Sequence, residues 1–221
     1  MPLPIVLLCL NLTFSYNMQA PATRIQREPA PVMDARGADW LTRAERESEE
    51  RPEEVLDALK IRPGDVVADV GAGVGYFSLR LARRVGKAGR VLATDIQQAM
   101  LDRLKDVRDA EKLDNIELIL GTETDPKLPV NSIDLVLMVD VYHEFSRPAE
   151  MMEKIRAALK PAGRLVLVEY RGEDPSVPIK PLHKMTERQV LDEINPMGFR
   201  HVETLNFLPR QHIIIFTKQA H

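Results

Sequence analysis

A histidine with acidic and aromatic neighbours stands directly after a strongly apolar run of the sequence. The run Ile133–Val139 ends at Asp140, and the segment Val141-Tyr142-His143-Glu144-Phe145 follows. An imidazole with a pKa near ~6.5 can accept a proton at neutral pH, so His143 is a candidate base for a hydroxyl or an acidic C–H. The alternative is a histidine that lines a pocket wall or caps a helix. Tyr142 is a candidate for ligand contact, with packing in the core as its alternative.

A glycine-rich turn is the second feature with chemical meaning. Asp69 and Val70 close a short β-branched run, and Gly71, Gly73 and Gly75 follow at alternate positions. Glycine lets the backbone turn sharply and approach a ligand closely, while the N-terminus of a following helix exposes unpaired N–H donors. The turn therefore predicts a nucleotide-like ligand.

Asp95 adds a carboxylate at the end of the next strand-like run, Arg90–Asp95. A carboxylate there can accept hydrogen bonds from both hydroxyls of a ribose, so the turn and Asp95 together indicate an adenosine-type cofactor. A dinucleotide fingerprint would place a small residue five positions after Gly71, where this chain has Tyr76. The spacing resembles instead the first motif of class I S-adenosylmethionine-dependent methyltransferases, through Asp69, Gly71, Gly73 and Gly75.

This resemblance covers most of the chain, about Asp65 to Lys218, and rests on several motifs together. They are the glycine turn, Asp95, the strand into Asp140, and Leu159-Lys160-Pro161-Ala162-Gly163-Arg164 before the fifth strand. The resemblance implies S-adenosylmethionine as the cofactor, with Gly71, Gly73 and Gly75 at its methionine part and Asp95 at its ribose.

The resemblance also implies roles for four further polar residues. Asp69 would orient the glycine turn and meet the methionyl ammonium group through water, or else simply cap the turn. Thr122 stands where many members of the family place an acid that meets the adenine amino group. Glu123 is then either the substitute for that acid or a solvent-facing loop residue. Asp140 would face the methionyl ammonium group.

For the methyl acceptor, the segment around His143 resembles one in small-molecule O-methyltransferases whose histidine removes the acceptor proton. Acceptor chemistry stays open among oxygen, nitrogen and carbon. Arg171, His183 and Lys184 follow the fifth strand and are candidates for binding an anionic acceptor, or else form a solvated basic loop. Because no histidine and carboxylate have the spacing of ligands on one helix face, the sequence predicts no metal site.

The elements that must position these residues alternate between strand and helix patterns. Five apolar runs separated by helical periodicity predict a doubly wound α/β sheet, mostly parallel, with Ile133–Val139 as a central strand. Two final runs, His201–Leu208 and His212–Phe216, are joined by too few residues for a crossover helix and should form an antiparallel hairpin. The expected fold is a Rossmann-like, seven-stranded methyltransferase domain over residues 40–221, after an irregular lead-in over residues 23–39.

Composition limits the remaining possibilities. The 221 residues carry a formal net charge of −3, which disfavours a nucleic-acid clamp and membrane-surface binding. The one cysteine, Cys9, lies in the leader, so the domain has no disulfide, thiolate zinc site or cysteine nucleophile. The apolar run Leu3–Leu12 and Ala20-Pro21-Ala22 predict a signal peptide over residues 1–22 and export, either to the periplasm or out of the cell. The alternative is an over-long gene start or a disordered tail on a cytoplasmic protein.

The sequence therefore favours methyl transfer from S-adenosylmethionine to a small-molecule acceptor. Two alternatives remain open at this stage. One is an NAD-dependent oxidoreductase, which Tyr76 disfavours. The other is a non-catalytic protein that keeps a cofactor-binding fold.

Overall fold

The computed structural model describes residues 27–219, and its secondary structure alternates as the sequence predicts. The strands are β1 (Val66–Val70), β2 (Arg90–Asp95), β3 (Ile116–Leu120), β4 (Ile133–Val139), β5 (Leu159–Tyr170), β6 (Phe199–Leu205) and β7 (Gln211–Lys218). The α-helices are α1 (Arg46–Glu50), α2 (Pro52–Ala58), α3 (Ser78–Val85), α4 (Gln98–Glu111), α5 (Pro148–Ala158) and α6 (Glu187–Ile194). Short 3₁₀ helices span Ala35–Thr42, Tyr142–Glu144, Pro181–His183 and Asn195–Met197.

The strands form one sheet in the order β3-β2-β1-β4-β5-β7-β6. The first five strands are mutually parallel, whereas β7 runs antiparallel to both β5 and β6. The predicted doubly wound α/β fold with an antiparallel C-terminal pair is therefore confirmed. Strand order reverses between β1 and β4, and in such sheets ligands bind beyond the carboxyl ends of the strands at this switch point.

The sheet is buried on both faces, which explains the nearly continuous apolar runs. Alternate residues of β4 enter opposite cores: Leu135 and Leu137 pack with α2 and α3, whereas Val136 and Met138 pack with α5 and α6. Local signals set the helix starts. Pro52 and Pro148 open α2 and α5, where a missing N–H costs nothing, and Thr186 caps α6 through reciprocal bonds with Gln189.

Some boundaries differ from those expected. The boundary predicted at residue 40 falls inside the 3₁₀ helix Ala35–Thr42, and β5 begins at Leu159 although Pro161–Gly163 was expected to precede it. Among residues 27–219, no helix has the length and apolarity needed to cross a membrane. The predicted signal peptide, residues 1–22, lies outside the described residues and stays a prediction.

Candidate functional site

A cavity of about 670 Å³ opens beyond the carboxyl ends of β1, β2, β4 and β5. Its wall contains the glycine turn after β1, the acid that ends β2, and the polar segment after β4. Parallel strands place these chain segments at one edge of the sheet although they are up to about 70 residues apart in sequence, which is why the predicted site residues can meet. The sequence-predicted residues on this wall are Gly71, Gly73, Asp95, Thr122, Glu123, Asp140, His143 and His183.

The three glycines of the turn are needed for different reasons. All three have positive φ angles, 76° at Gly71, 54° at Gly73 and 89° at Gly75. A Cβ at Gly71 would lie 2.3 Å from Val141 Cγ2, and one at Gly73 would lie 3.0 Å from Leu41 Cδ1. Gly75 lies outside the cavity wall, and a Cβ there would lie 2.1 Å from Leu104 Cδ1 in α4. Gly75 therefore serves helix packing, whereas Gly71 and Gly73 border the cavity.

Two aspartates hold the turn from either side. Asp95 Oδ2 accepts from the Gly73 N–H at 2.9 Å and Asp95 Oδ1 from the Gln97 N–H at 2.9 Å, so its carboxylate is fixed at the cavity wall. Burial raises the pKa of Asp95, partly offset by these N–H donors. Asp69 lies outside the large cavity, where its carboxylate accepts from Ser78 Oγ at 2.6 Å. Burial raises the pKa of Asp69 to about 6.

Thr122 and Glu123 lie beyond β3, at the side of the cavity next to Asp95. The Thr122 N–H donates to the Asp125 carbonyl at 2.9 Å, which closes a tight turn. Glu123 accepts from Ser146 Oγ at 3.0 Å, so the loop after β3 is linked to the segment after β4.

Asp140 occupies a strained position at the end of β4. Its φ is 52°, and its Oδ2 accepts from Gln211 Nε2 at 2.7 Å. Its Oδ1 is buried and has no hydrogen-bond partner among the described residues. Burial and the charges of Glu50 and Glu169 raise the pKa of Asp140 well above its ordinary value. An unpaired acceptor on the cavity wall is suited to a positively charged donor.

His143 is held in one orientation by a buried acid. Its Nδ1 lies 2.6 Å from Oε2 of Glu169, whose side chain is fully buried at the end of β5. The other oxygen of Glu169 accepts from the Tyr142 N–H at 2.9 Å. Burial lowers the pKa of His143, but the charge and hydrogen bond of Glu169 outweigh it and raise the pKa above the ordinary value. The sequence analysis assigns Glu169 no role, although an acid that closes a buried strand is a signal that could have identified it.

A second histidine and a second acid complete this end of the cavity. His183 Nδ1 lies 3.2 Å from Nε2 of His143, and burial together with the His143 charge lowers the pKa of His183. Burial raises the pKa of Glu144 to about 7, and its carboxylate accepts from the Met33 N–H at 3.3 Å. Donor atoms of His143, Glu144 and His183 lie within 4.8 Å of one another. The helix-face spacing rule missed this cluster because its members come from separate turns.

The lead-in, expected to be irregular, covers the cavity as a strap over residues 27–34. Arg27 donates to the carbonyls of Tyr142 and His143 at 2.8 and 2.7 Å and forms an ion pair with Glu193 at 3.2 Å. The Ala30 N–H donates to the His143 carbonyl at 3.0 Å. Residues 29–33 line the cavity. Few large apolar side chains mark this segment, so hydrophobic patterning gave no sign of its position.

Three residues predicted to bind the acceptor lie outside the cavity wall. Tyr142 is buried in the core, where its hydroxyl donates to Glu193 at 2.9 Å. Arg171 donates to the carbonyls of Leu208 and Gln211, both at 2.8 Å, and so holds the β6–β7 connection. Lys184 donates to the carbonyls of Asp174 and Val177, which places its charge within its own loop. In this structure, backbone carbonyls, Glu193 and the core engage these three side chains, so their role in acceptor binding stays a prediction.

A match to a family model spans the strands from β1 to the start of β5. A family model described as a methyltransferase domain matches residues 67–163. An uncharacterized 37.1 kDa protein in transposon TN4556 of Streptomyces fradiae is 32% identical over 142 residues, 63% of this chain and 41% of that protein. The ubiquinone/menaquinone biosynthesis C-methyltransferase UbiE of Hydrogenovibrio crunogenus is 32% identical over 116 residues, 52% of this chain and 46% of that protein. The chain thus spans less than half the length of these two curated relatives.

A solved structure extends the likeness to nearly the whole described chain. The crystal structure of a SAM dependent methyltransferase from Aquifex aeolicus superposes with a TM-score of 0.80 at 24% identity. The match covers 85% of this chain and 100% of that chain. At this identity the likeness shows the fold alone.

Proposed function

We propose that the chain is a class I S-adenosylmethionine-dependent methyltransferase and that it transfers a methyl group from S-adenosylmethionine to a small molecule bound in the cavity; the methyltransferase-domain match over residues 67–163 supports this. The observation that carries this proposal is the buried Oδ1 of Asp140, an acceptor without a partner among the described residues, on the same wall as Asp95. Together they offer two separate carboxylates to a ligand with a ribose at one end and an ammonium group at the other.

The residues present fit this cofactor. Asp95 has lone pairs left for the ribose hydroxyls, since each of its oxygens accepts only one backbone N–H bond among those described above. Gly71 and Gly73 let the backbone pass close to Val141 and Leu41 at the cavity wall, where a Cβ would crowd these side chains. Asp140 Oδ1 can accept from the methionyl ammonium. We assign Thr122 and Glu123 to the adenine side because they border Asp95. When bound, the cofactor supplies a methyl group on a sulfonium, which is open to in-line displacement.

The acceptor is proposed to lie beside His143, His183 and Glu144. A volume of about 670 Å³ is in the middle of the usual range for small-molecule sites, and we propose that it holds the cofactor together with a second, small ligand. The strap covers this space, which favours a small acceptor over a macromolecule. Val32, Trp40 and Ile96 are exposed at the cavity wall, by 44%, 52% and 39%, so an acceptor with an apolar portion fits best.

The chain's contribution to the reaction is mainly positioning. Holding the acceptor in line with the methyl group supplies a large part of the acceleration without a dedicated acid or base. Glu169 fixes the ring of His143, so its Nε2 stays at the cavity, and we propose that His143 contacts the reacting group of the acceptor. Because His143 and Glu169 are buried, water does not compete for their hydrogen bonds at the acceptor end of the cavity.

Calorimetry with S-adenosylhomocysteine tests the cofactor assignment. We expect Asp95→Asn to weaken binding by about 10- to 100-fold, because it removes a charged acceptor for the ribose. His143→Ala should keep binding and lower turnover with the acceptor, which labelled cofactor and cell extract can identify. His201→Ala, a histidine on β6 bonded to Thr204, is the matched control and should change neither quantity.

Two results would contradict the proposal. Binding of NAD without binding of S-adenosylhomocysteine would favour the oxidoreductase alternative. Cofactor binding without methyl transfer to any acceptor of a broad panel would favour a non-catalytic protein.

A further inference from the structure

Three side chains of types that ligate transition metals converge at the acceptor end of the cavity. They are His143 and Glu144 on the 3₁₀ turn after β4 and His183 on the 3₁₀ turn Pro181–His183, and their donor atoms all lie within 4.8 Å of one another. The two ring nitrogens that face each other are 3.2 Å apart. A tetrahedral zinc ion with bonds of about 2.0–2.1 Å holds two nitrogens about 3.3 Å apart, so the observed spacing matches one edge of such a site.

The geometry also supplies the outer support that metal-binding histidines need. Metal-bound imidazoles nearly always donate their second N–H to a carboxylate or carbonyl, which fixes the tautomer and the ring orientation. Here the Nδ1 of His143 is held by the fully buried Glu169 at 2.6 Å, which directs its Nε2 toward His183. Glu169 is itself fixed by the Tyr142 N–H. Glu169 and the ring of His143, with Nε2 directed toward His183, have the arrangement of a carboxylate and a metal-binding histidine.

The charges around the cluster call for a cation. Asp140 and Glu144 line the cavity, and Glu169 is buried behind His143, its partner. Within residues 27–219, none of these three acids has an ion pair with a lysine or arginine. The carboxylate of Glu144 accepts only a long bond from the Met33 N–H, at 3.3 Å. A buried carboxylate in this situation is stabilised by a metal ion or by protonation.

We propose that His143 Nε2, His183 Nδ1 and the Glu144 carboxylate bind one divalent transition-metal ion, with an open coordination position facing the cavity. Two imidazoles and one carboxylate suit Zn²⁺, Fe²⁺ or Co²⁺, whereas Mg²⁺ prefers oxygen ligands alone. Three protein ligands and an open position are typical of a catalytic metal site. The structure of the site stands on its own, but its role in catalysis rests on the proposed methyl transfer.

As a catalytic metal, the ion would limit the acceptor to molecules that carry a hydroxyl group next to an apolar portion. Coordination of the hydroxyl oxygen lowers its pKa, and its proton leaves to solvent. The oxygen then forms a bond to the methyl carbon, while the carbon–sulfur bond breaks and its electron pair stays on sulfur. A nitrogen lone pair that binds a metal cannot also take up a proton, so His143 would act as a ligand and not as the base that the sequence predicts.

Cobalt binding to the full, untagged chain tests the site. The apo protein, prepared with a chelator, is titrated with Co²⁺ while visible absorption is recorded, and bound metal per chain is measured by elemental analysis. We expect one equivalent of Co²⁺, with the visible bands of nitrogen and oxygen coordination at fewer than six ligands. His183→Ala should lower the affinity more than about tenfold and change the spectrum, and Glu169→Gln should lower it about 10- to 100-fold.

Two control variants separate this site from incidental binding. His201→Ala and Cys9→Ser should leave the cobalt affinity and spectrum unchanged, because His201 bonds to Thr204 on β6 and Cys9 is the chain's one thiol. Circular dichroism checks that each variant folds. Equal cobalt affinity in the wild-type chain and His183→Ala, or loss of the signal in either control, would overturn the proposal.

The same samples distinguish the two proposals from each other. S-adenosylhomocysteine binding is measured by calorimetry on the metal-free protein. Cofactor binding with no cobalt site removes the metal inference and leaves methyl transfer intact. A cobalt site without cofactor binding removes the proposed methyl transfer and leaves the metal site standing.

Discussion

Each of the three positions in the turn after β1 requires glycine for a different physical reason, and only Gly71 and Gly73 border the cavity. Gly71 and Gly73 face Val141 and Leu41, which belong to the segments that enclose the cofactor end, whereas Gly75 makes room for Leu104 in α4. Tyr76 stands where a dinucleotide-binding motif has a small residue. Tyr76 lies beyond Gly75 and is held between the guanidinium groups of Arg46 and Arg80, at 3.8 and 4.1 Å from its ring.

Gly71→Ala tests the close approach at the turn. An alanine there adds the strain of a positive φ, about 1–2 kcal/mol, and a clash with Val141, about 1–3 kcal/mol. We expect lower stability in urea unfolding and at least about tenfold weaker S-adenosylhomocysteine binding, equivalent to about 1.4 kcal/mol. Gly86→Ala is the control, since Gly86 also has positive φ but has no atom within 4 Å of an added Cβ. It should lose stability and keep binding; weak binding in both variants would contradict a local effect.

At the residue scale, polar groups that end buried strands were predictable and their partners were not. Asp95, Asp140 and His143 were found because each follows an apolar run and therefore lies at the carboxyl edge of the sheet. Glu169 also ends such a run, but its role depends on β4 and β5 being neighbours, which fixes its 2.6 Å contact with His143. The carbonyl partners of Arg171 were not predictable, because a charge in a loop does not reveal which carbonyls it meets.

At the scale of elements, the strap over residues 27–34 shows what periodicity cannot predict. It has no helix or strand pattern, and its position depends on single contacts such as the Ala30 N–H to the His143 carbonyl. Strands and helices were predictable because burial on both sheet faces imposes apolar patterns over several residues. A segment that packs through backbone hydrogen bonds and one arginine leaves no such pattern. The element that closes the cavity was therefore the least visible in the sequence.

Arg27→Ala tests whether the strap depends on that arginine. The side chain bonds two carbonyls and Glu193 and is only 15% exposed, so its loss should cost about 1.5–3 kcal/mol of local stability. We expect faster hydrogen exchange at Ala30 and weaker retention of a bound acceptor, seen as a higher KM. Arg36→Ala is the control in the adjoining helix, because Arg36 is 91% exposed and pairs only locally with Asp34. Unchanged exchange at Ala30 in Arg27→Ala would show that other contacts hold the strap.

At the scale of the whole molecule, the sheet edge that forms the site holds buried carboxyl groups, and ionising them in the folded state costs free energy. Burial raises the pKa values of Asp69, Asp95 and Asp140, and each acid ends or closes a central strand at this edge. A native state that holds protons more tightly than the unfolded chain loses stability as pH rises. Because the acids that should bind the cofactor and those that support the turn share this edge, we infer that ligand binding and pH act on the stability of the same part of the fold.

Asp69 gives the clearest test, since it lies in the protein interior and outside the large cavity. Its pKa rises from 3.8 to about 6, so its neutral form stabilises the fold fully below pH 3.8, and that contribution disappears as pH rises through about 6. The loss is about 3 kcal/mol at 1.36 kcal/mol per pKa unit. Asparagine does not titrate, so in urea unfolding the stability of Asp69→Asn relative to the wild type should increase by about 2–3 kcal/mol between pH 4 and pH 7.

Ser78→Ala should change the dependence of unfolding free energy on pH in the direction opposite to Asp69→Asn. The Ser78 hydroxyl donates to Asp69 at 2.6 Å and lowers its pKa against the larger effect of burial. Without this bond the carboxyl becomes harder to ionise, so stability should fall more steeply with rising pH than in the wild type. Stability curves that stay parallel for the wild type, Asp69→Asn and Ser78→Ala from pH 4 to pH 7 would contradict both expectations. They would place the pH dependence of the fold elsewhere on the sheet edge, with Asp140 as the next residue to substitute.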